Sequence, residues 1–181
     1  RGFDGLAATR FVNASLARQR DESAQSTFGQ AVSANLFDVL RVRPMLGRTF
    51  LPDEDRVAGR DAVVILSYET WTEQFGADPA IVGREIRLTG VPFTVIGVTP
   101  QGFTGLNILQ PIAFYVPIAM LPTLMAGAPP SLLEQRDVRS LRVLGRLTSG
   151  TSIAQASQEL DLIARALQEE HPATNARYGL L

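Results

Sequence analysis

The stretch from Gly83 to Phe103, GREIRLTGVPFTVIGVTPQGF, constrains this chain more than any other. Glu85 to Thr89 alternates polar and apolar residues, with Ile86 and Leu88 on one face and Arg87 on the other, as a half-buried strand requires. Gly90-Val91 predicts a two-residue loop of type II′, because glycine at the first central position accepts the positive φ of that turn. On the return, Pro92 to Val98 sends Phe93 and Val95 one way and Ile96 and Val98 the other. Apolar side chains on both faces predict a strand interior to a sheet, and such a strand needs neighbours on both edges.

The neighbours are sought along the chain. Gly2 to Ala8 reads as the tail of a helix or a loop. From Arg10 the series Phe11, Asn13, Ser15 against Val12, Ala14, Leu16 is strand-like, Arg18 to Ser26 is a polar turn, and Thr27 to Val32 predicts a second strand that closes a hairpin. Ser33 is the expected N-cap of a short helix in which Leu36, Phe37 and Leu40 share a face, stopped by Pro44 and Gly47. Gly47 to Gly59 reads as a polar connection and Ala62 to Leu66 as a short apolar strand. Ser67 then caps a helix with Tyr68, Trp71 and Phe75 at i, i+3 and i+7, closed by Gly76 at C′. Asp78-Pro79 opens one more helical turn, with proline at its first position, and Gly83 ends it.

Beyond the hairpin, Leu106 to Met125 is the most apolar window. Pro111, Pro117 and Pro122 interrupt it together with Gln110, and a helix so broken could not satisfy its backbone in lipid without protein around it. It is expected to be buried and largely extended. Local pattern determines Gln101 to Pro130 least, and Ser131 to Arg136 reads as a helical turn. Ser140 to Thr148 predicts another strand, with Leu141, Val143 and Gly145 inward and Arg142 and Arg146 outward. After the Ser149-Gly150 turn, Ser152 and Gln155 form a capping box, and Ile153, Ala156, Leu160, Ile163, Ala164 and Leu167 trace one face of a long helix ending at His171-Pro172. This mixture predicts an α+β fold. The last strand and helix would share a sheet with the first two strands, leaving the middle as an inserted subdomain.

Composition then narrows the chemistry. A chain of 181 residues can bury one good core or two small ones. It opens at Arg1 with no initiator Met, basic n-region or apolar h-region, so it is expected to be a piece of something longer. A net charge of −1 with no arginine cluster argues against nucleic acid as a partner. All 17 basic residues are Arg, which removes Schiff-base lysines and the lysine of a phosphate-binding loop. Cysteine is absent, so thiol nucleophiles, disulfides and Cys-based zinc sites are excluded, and the redox compartment stays open. His171 stands alone before a proline, where a polar residue interacting with helix carbonyls is a plainer account than a catalytic dyad. Asp53-Glu54-Asp55 could hold a divalent cation, but calcium loops need more oxygen ligands at regular spacing and a turn glycine, so a solvated loop is expected. The aromatic stripe of Tyr68, Trp71 and Phe75 reads as core rather than as a docking surface. Arg48 and Arg84 each follow a glycine and are expected in structural ion pairs rather than anion recognition. No Gly-x-Ser-x-Gly surrounds Ser67, and no dinucleotide fingerprint is present. No catalytic, cofactor-binding or metal residue is assigned, and the chain is not expected to be an enzyme.

Three segments carry a resemblance: VSANLFDVLRVRPMLGRTF (Val32 to Phe50), VVILSYETWTEQFGADPAIVGREIRLTGVPFTVIGVTPQGF (Val63 to Phe103) and LRVLGRLTSGTSIAQASQELDLIARALQEEHP (Leu141 to Pro172). In this order they resemble the MacB-like periplasmic core domain of ABC transporter permeases of the macrolide-exporter and lipoprotein-release type, including orphan permeases. The resemblance implies a periplasmic domain of a bacterial inner-membrane protein, held between two transmembrane helices. It implies two lobes, a βαβ-built porter lobe at residues 1–44 and 137–181 and an inserted mixed sabre lobe at 45–136. It further implies a non-catalytic role without cofactors: transmitting the motion of cytoplasmic ATPases to an adaptor protein or a lipoprotein, with a dimer in the full transporter. Two departures stand out. The opening strand and helix of the porter lobe and its last strand are expected to be missing or clipped, and Tyr115-Val116-Pro117-Ile118 stands where related sequences often carry Trp before the proline. The alternative, an extracytoplasmic sensor or small-ligand receptor, would need a deep apolar pocket with a few convergent polar groups.

Overall fold

The computed structural model describes residues 2–19, 22–105 and 110–175. The long strand β1 (Phe3–Ala17) is followed by β2 (Gln25–Val32), the short helix α1 (Leu36–Leu40) and β3 (Leu46–Gly47). A 3₁₀ turn at Pro52–Asp55 leads to β4 (Val63–Leu66), α2 (Tyr68–Phe75), β5 (Glu85–Leu88) and β6 (Val91–Val98). The chain continues through β7 (Phe114–Pro117), α3 (Leu121–Leu124), β8 (Arg142–Leu147), α4 (Ile153–Glu170) and α5 (Pro172–Asn175). The α+β class expected from the sequence is the class observed.

Six of the strands close a ring. β1 pairs with β2, β2 runs parallel to β7, β7 lies antiparallel to β4, β4 runs parallel to β6, β6 pairs with β5, and β5 returns to β1 through Leu16↔Leu88 and Ala17↔Arg87. Closure removes the unpaired edges that would otherwise invite another chain. Inside sit Val12, Leu16, Val64, Leu66, Leu88, Phe93, Val95, Phe114 and Val116, plugged by Trp71 of α2 and by Ile81, Met120 and Leu121. A second apolar layer lies against the outside of the wall, where Leu36 and Phe37 of α1 meet Val32, Phe50, Ile65, Ile96 and Tyr115. Phe37, Phe103 and Tyr115 meet there at tilted and edge-on angles with centroids 5.5 to 5.9 Å apart.

The apolar residues on both faces of β6 are explained by these two layers and by a bulge. β6 lies between β4 and β5, as its pattern predicts, and its register against β4 slips between Val64↔Val95 and Ile65↔Gly97. The extra residue, Ile96, belongs to the outer layer, while Val95 and Val98 on either side of it both belong to the interior. An inserted residue changes the side-chain parity of the strand beyond it.

The turn of this hairpin differs from expectation. Leu88 pairs with Val91, so the loop is Thr89-Gly90, one residue earlier than predicted, and both residues have positive φ, 52° and 80°. That is the signature of type I′ rather than II′. Alternation in the strands specifies the faces but not the residue at which the ladder ends. A β-branched side chain is poorly suited to the left-handed region, and exposed Thr89 uses only its backbone N–H, which donates to Ser15 O at 2.8 Å. Thr89→Asn is therefore expected to raise stability by about 0.5–1 kcal/mol, read as a higher urea midpoint with an unchanged slope.

Other expectations are corrected by pairing that no local pattern reveals. Gly2 to Ala8 is neither helix tail nor loop, since from Phe3 it is the first half of β1, held by β8 from Phe3↔Leu147 to Thr9↔Arg142. Ser33 does not cap α1. Asn35 occupies the N-cap position, and Ser33 instead accepts from Ala8 N–H and donates to Asn35 Oδ1. The helix stops at Arg41, in the left-handed region at φ 58°, before Pro44 is reached. In the apolar window, β7 is extended and buried, but the chain then coils through the 3₁₀ turn Ile118–Met120 into α3, with Pro122 in the first turn, where no N–H is needed. The part of that window at residues 106–109 lies outside the described residues.

The ends of the chain form a flank beside the barrel, with β8 paired to the first half of β1. Its faces are the reverse of those expected. Arg142 lies 5.8 Å from the centre of the Phe11 ring, Arg146 Nε donates to Val39 O, and Leu144 joins the outer apolar layer, whereas Leu141 and Val143 are exposed. Helix α4 carries the predicted capping box, with Ser152 and Gln155 bonded reciprocally, but of its apolar stripe only Ala156 is buried. Hydrogen bonding also runs across residue 44, where one expected lobe ended, because the second half of β2, from Gly29 to Val32, is bonded to β7.

Candidate functional site

The residues singled out by sequence divide into structural ties and exposed surface. The acidic run is structural. Glu54 faces Arg48 in a two-pronged pair, Nη1 to Oε2 at 2.9 Å and Nη2 to Oε1 at 2.6 Å, and accepts from Leu51 N–H at 2.8 Å. Burial pushes the Glu54 carboxyl up, but the hydrogen bonds from Arg48 and Leu51 and the Arg48 charge outweigh it and hold the group below the usual carboxylate range. Asp55 ties three segments together, accepting from Ala34 N–H at 3.1 Å and from Ala119 N–H at 2.9 Å. Burial raises its carboxyl above the ordinary value against the pull of these N–H groups. Only Asp53 matches the solvated loop expected for the run, its carboxylate reaching exposed Arg56 at 3.2 Å. The correction has a simple cause: sequence shows three adjacent carboxylates but not the backbone N–H groups that come to meet two of them. Among the described residues, no three His, Asp or Glu side chains converge on a metal-sized site.

A pH test follows from Glu54. Its folded pKa is depressed, so its contribution to stability is complete above the unfolded value of about 4.3 and is lost as pH falls through the lower folded value. Urea midpoints of the wild type should decline below about pH 5, and Glu54→Gln should start lower at pH 7 but decline less steeply.

Arg84 pairs with Asp78 at 2.8 Å, so Arg84, like Arg48, serves in an ion pair within the chain. His171 ends α4, its backbone N–H donating to Leu167 O at 2.9 Å and its Nε2 lying 3.4 Å from Glu170 Oε1. Trp71 is core, with Nε1 donating to Asp78 O at 2.9 Å. Tyr68 and Phe75 are half-buried against the same cluster. Ser67 accepts from Thr70 N–H as the helix cap and is itself buried.

Two surface features remain. At one end of the barrel an open cleft of about 1040 Å³ is rimmed by Arg18, Glu22, Glu73, Arg84 and Glu85 over Phe75 and Ile81. Its charges are of both signs, and Arg18 and Glu22 are paired with each other. The flank, by contrast, presents apolar side chains to solvent: Val143 is 66% exposed, and Ile153, Leu162 and Ile163 of α4 are 77%, 66% and 53% exposed. Sequence periodicity assigns Val143, Ile153 and Ile163 to apolar faces and leaves Leu162 outside its stripe, and an alternating strand looks the same whether or not anything covers it. The exposed side chains do not form a single stripe, since Ile153 and Leu162, nine residues apart, lie on opposite sides of α4. No described helix is long and apolar enough to cross a membrane.

A family model described as MacB-like periplasmic core domain matches residues 3–163. Among solved structures, the periplasmic region of MacB from Actinobacillus actinomycetemcomitans superposes with a TM-score of 0.68 at 16% identity, covering 96% of this chain and 70% of that one. The extracellular domain of the noncanonic ABC-type transporter YknZ from Gram-positive bacteria gives 0.65 at 20% identity, over 97% of this chain and 80% of that one. A domain of a putative permease protein from Porphyromonas gingivalis gives 0.63 at 18% identity, over 94% and 65%. At these identities the likeness establishes the fold. A search of curated proteins finds no significant match.

Proposed function

The chain belongs to the MacB-like periplasmic core domain family, and from that premise we propose that it is a non-catalytic part of an ABC-type permease that passes conformational change from the transmembrane helices to an adaptor or a substrate protein during export. The observation that carries this reading is the continuity of β1. One strand of fifteen residues, roughly 50 Å of chain, is bonded to β8 over its first half and closes the barrel with its second. A hydrogen-bonded strand shared by two bodies cannot slide in one without moving the other.

In this reading the porter-like body is the first half of β1 with β8, α4 and α5, and the sabre-like body is the barrel. The exposed apolar side chains of the flank meet the rest of the permease, and the charged barrel end is free for a protein partner. The mixed charge of the cleft and its open form suit a polar protein contact better than capture of a small apolar ligand. The chain has no cysteine, so paired labels can be placed at will in the domain. Spin labels at Val143 and Glu73 in the full-length permease, reconstituted with its ATPase, should keep their mutual distance with and without ATP, while the distance from either to a transmembrane helix changes. A changed internal distance, or no movement relative to the membrane, would refute this transmission role.

A further inference from the structure

The ring is closed on β1 over a short distance only. From Thr9 to Leu16 one edge of β1 is paired with β2 throughout, whereas on the other edge β8 reaches no further than Thr9 and β5 begins only at Leu16. Between them the stretch Arg10 to Ser15, about 20 Å of strand, has no strand beside it among the described residues. In an antiparallel strand the backbone groups of alternate residues point to opposite edges. Ala8 O accepts from Ser33 N–H just beyond β2, and Ser15 O accepts from Thr89 N–H of the β5–β6 turn. By that alternation the N–H and C=O groups of Val12 and Ala14 bond to β2, and those of Phe11 and Asn13 point into the gap.

The gap is a groove of about 420 Å³, bordered by Arg10 to Ser15, by Thr89 and by Leu124 and Met125 at the end of α3. It shares no residue with the charged cleft at the barrel end, and no Asp or Glu lines it. Arg10 stands at its β8 end, and Arg142 lies 5.8 Å from the centre of the Phe11 ring. Neither arginine has an ion pair among the described residues.

We propose that this edge takes an extended segment of a partner protein that carries a carboxylate, its backbone pairing with Phe11 and Asn13 and its Asp or Glu side chain pairing with Arg10. Free backbone groups on a strand edge bind an extended chain whatever its sequence, and the side chains beside them select which chain. Here the selecting side chains are cationic, and a guanidinium holds a carboxylate through two parallel hydrogen bonds. A free anion or a lipid headgroup would meet the arginines but leave the backbone groups of Phe11 and Asn13 without a partner.

Amide exchange tests the edge, and peptide selection tests its occupant. In the dilute chain the Phe11 and Asn13 amides should exchange about tenfold or more faster than those of Val12 and Ala14. Random peptides of about eight residues selected on the chain should be enriched in Asp or Glu, should slow exchange at Phe11 and Asn13, and should bind Arg10→Gln about tenfold more weakly. Asn13→Pro, which removes an edge N–H and spares the β2 ladder, should weaken the same peptides. If that variant does not fold, Arg10→Gln and the exchange pattern decide. Phe11 and Asn13 amides as protected as Val12 and Ala14 would mean that the chain itself covers the edge, and protection that rises with concentration would mean that a second copy does; either overturns the proposal. So would a selection that yields no binder, binders without an acidic residue, or binders indifferent to Arg10→Gln.

Discussion

Gly47→Ala is expected to cost about 3–4 kcal/mol or more, enough to leave a marginal domain largely unfolded at 25 °C. Gly47 lies in β3, which pairs with the end of β6, and its φ is +69°. The conformation alone is a modest obstacle; the neighbour is not. A Cβ added here would lie 2.1 Å from Ile96 O, a backbone atom at the bulge that cannot swing aside. Gly76, at the C′ position of α2, supplies the control, because its φ of 62° is nearly the same and nothing lies within 4 Å of its missing Cβ. Gly76→Ala should therefore cost only the left-handed penalty of about 1–2 kcal/mol. Urea unfolding followed by the fluorescence of the single tryptophan measures both. Equal losses would mean that β3 does not approach β6 as closely as described.

Trp71→Ala should cost about 3–5 kcal/mol, the range for deleting a large buried aromatic. Trp71 is 5% exposed, plugs the barrel beside Ile81 and Leu121, meets Tyr68 edge-on at 5.7 Å and bonds Asp78 O through its indole N–H. Trp71→Phe should lose less, because a ring still fills most of the space while Asp78 O loses its donor. Leu162→Ala, on the exposed face of α4, should stay within about 0.5 kcal/mol. Urea unfolding followed by far-ultraviolet circular dichroism compares all three. A Trp71→Ala variant as stable as Leu162→Ala would make the aromatic stripe a surface feature after all.

These contrasts trace how far the sequence can be read. Ser67, Gly76, Asp78 and the Ser152 to Gln155 box all act as their local chemistry predicts, because a cap is made with groups two to four residues away. The faces of β5 and the interior placement of β6 were legible for a similar reason, since strand alternation is recorded in consecutive residues. Ser33 was misread because its partner, Ala8 N–H, comes from another strand. Sequence reads Asp55 as solvated because its donors, Ala34 and Ala119, lie just beyond the ends of β2 and β7, 21 and 64 residues away along the chain. The reversal of β8 has the same origin: Arg142 and Arg146 turn toward β1 and α1 because Phe11 and Val39 O wait for them there.

By itself, then, the sequence determined most of the elements, the caps of α2 and α4, the α+β class and the family, all of which rest on residues near one another in the chain or on motifs in a recognisable order. Tertiary structure alone decided that β5 returns to β1 and β2 lies beside β7, which turns a run of short strands into a closed barrel, and that Val143 and apolar side chains of α4 stay bare. The reason is physical: apolar alternation states that a face is to be covered, but the identity of what covers it depends on partners brought together only when the chain has folded.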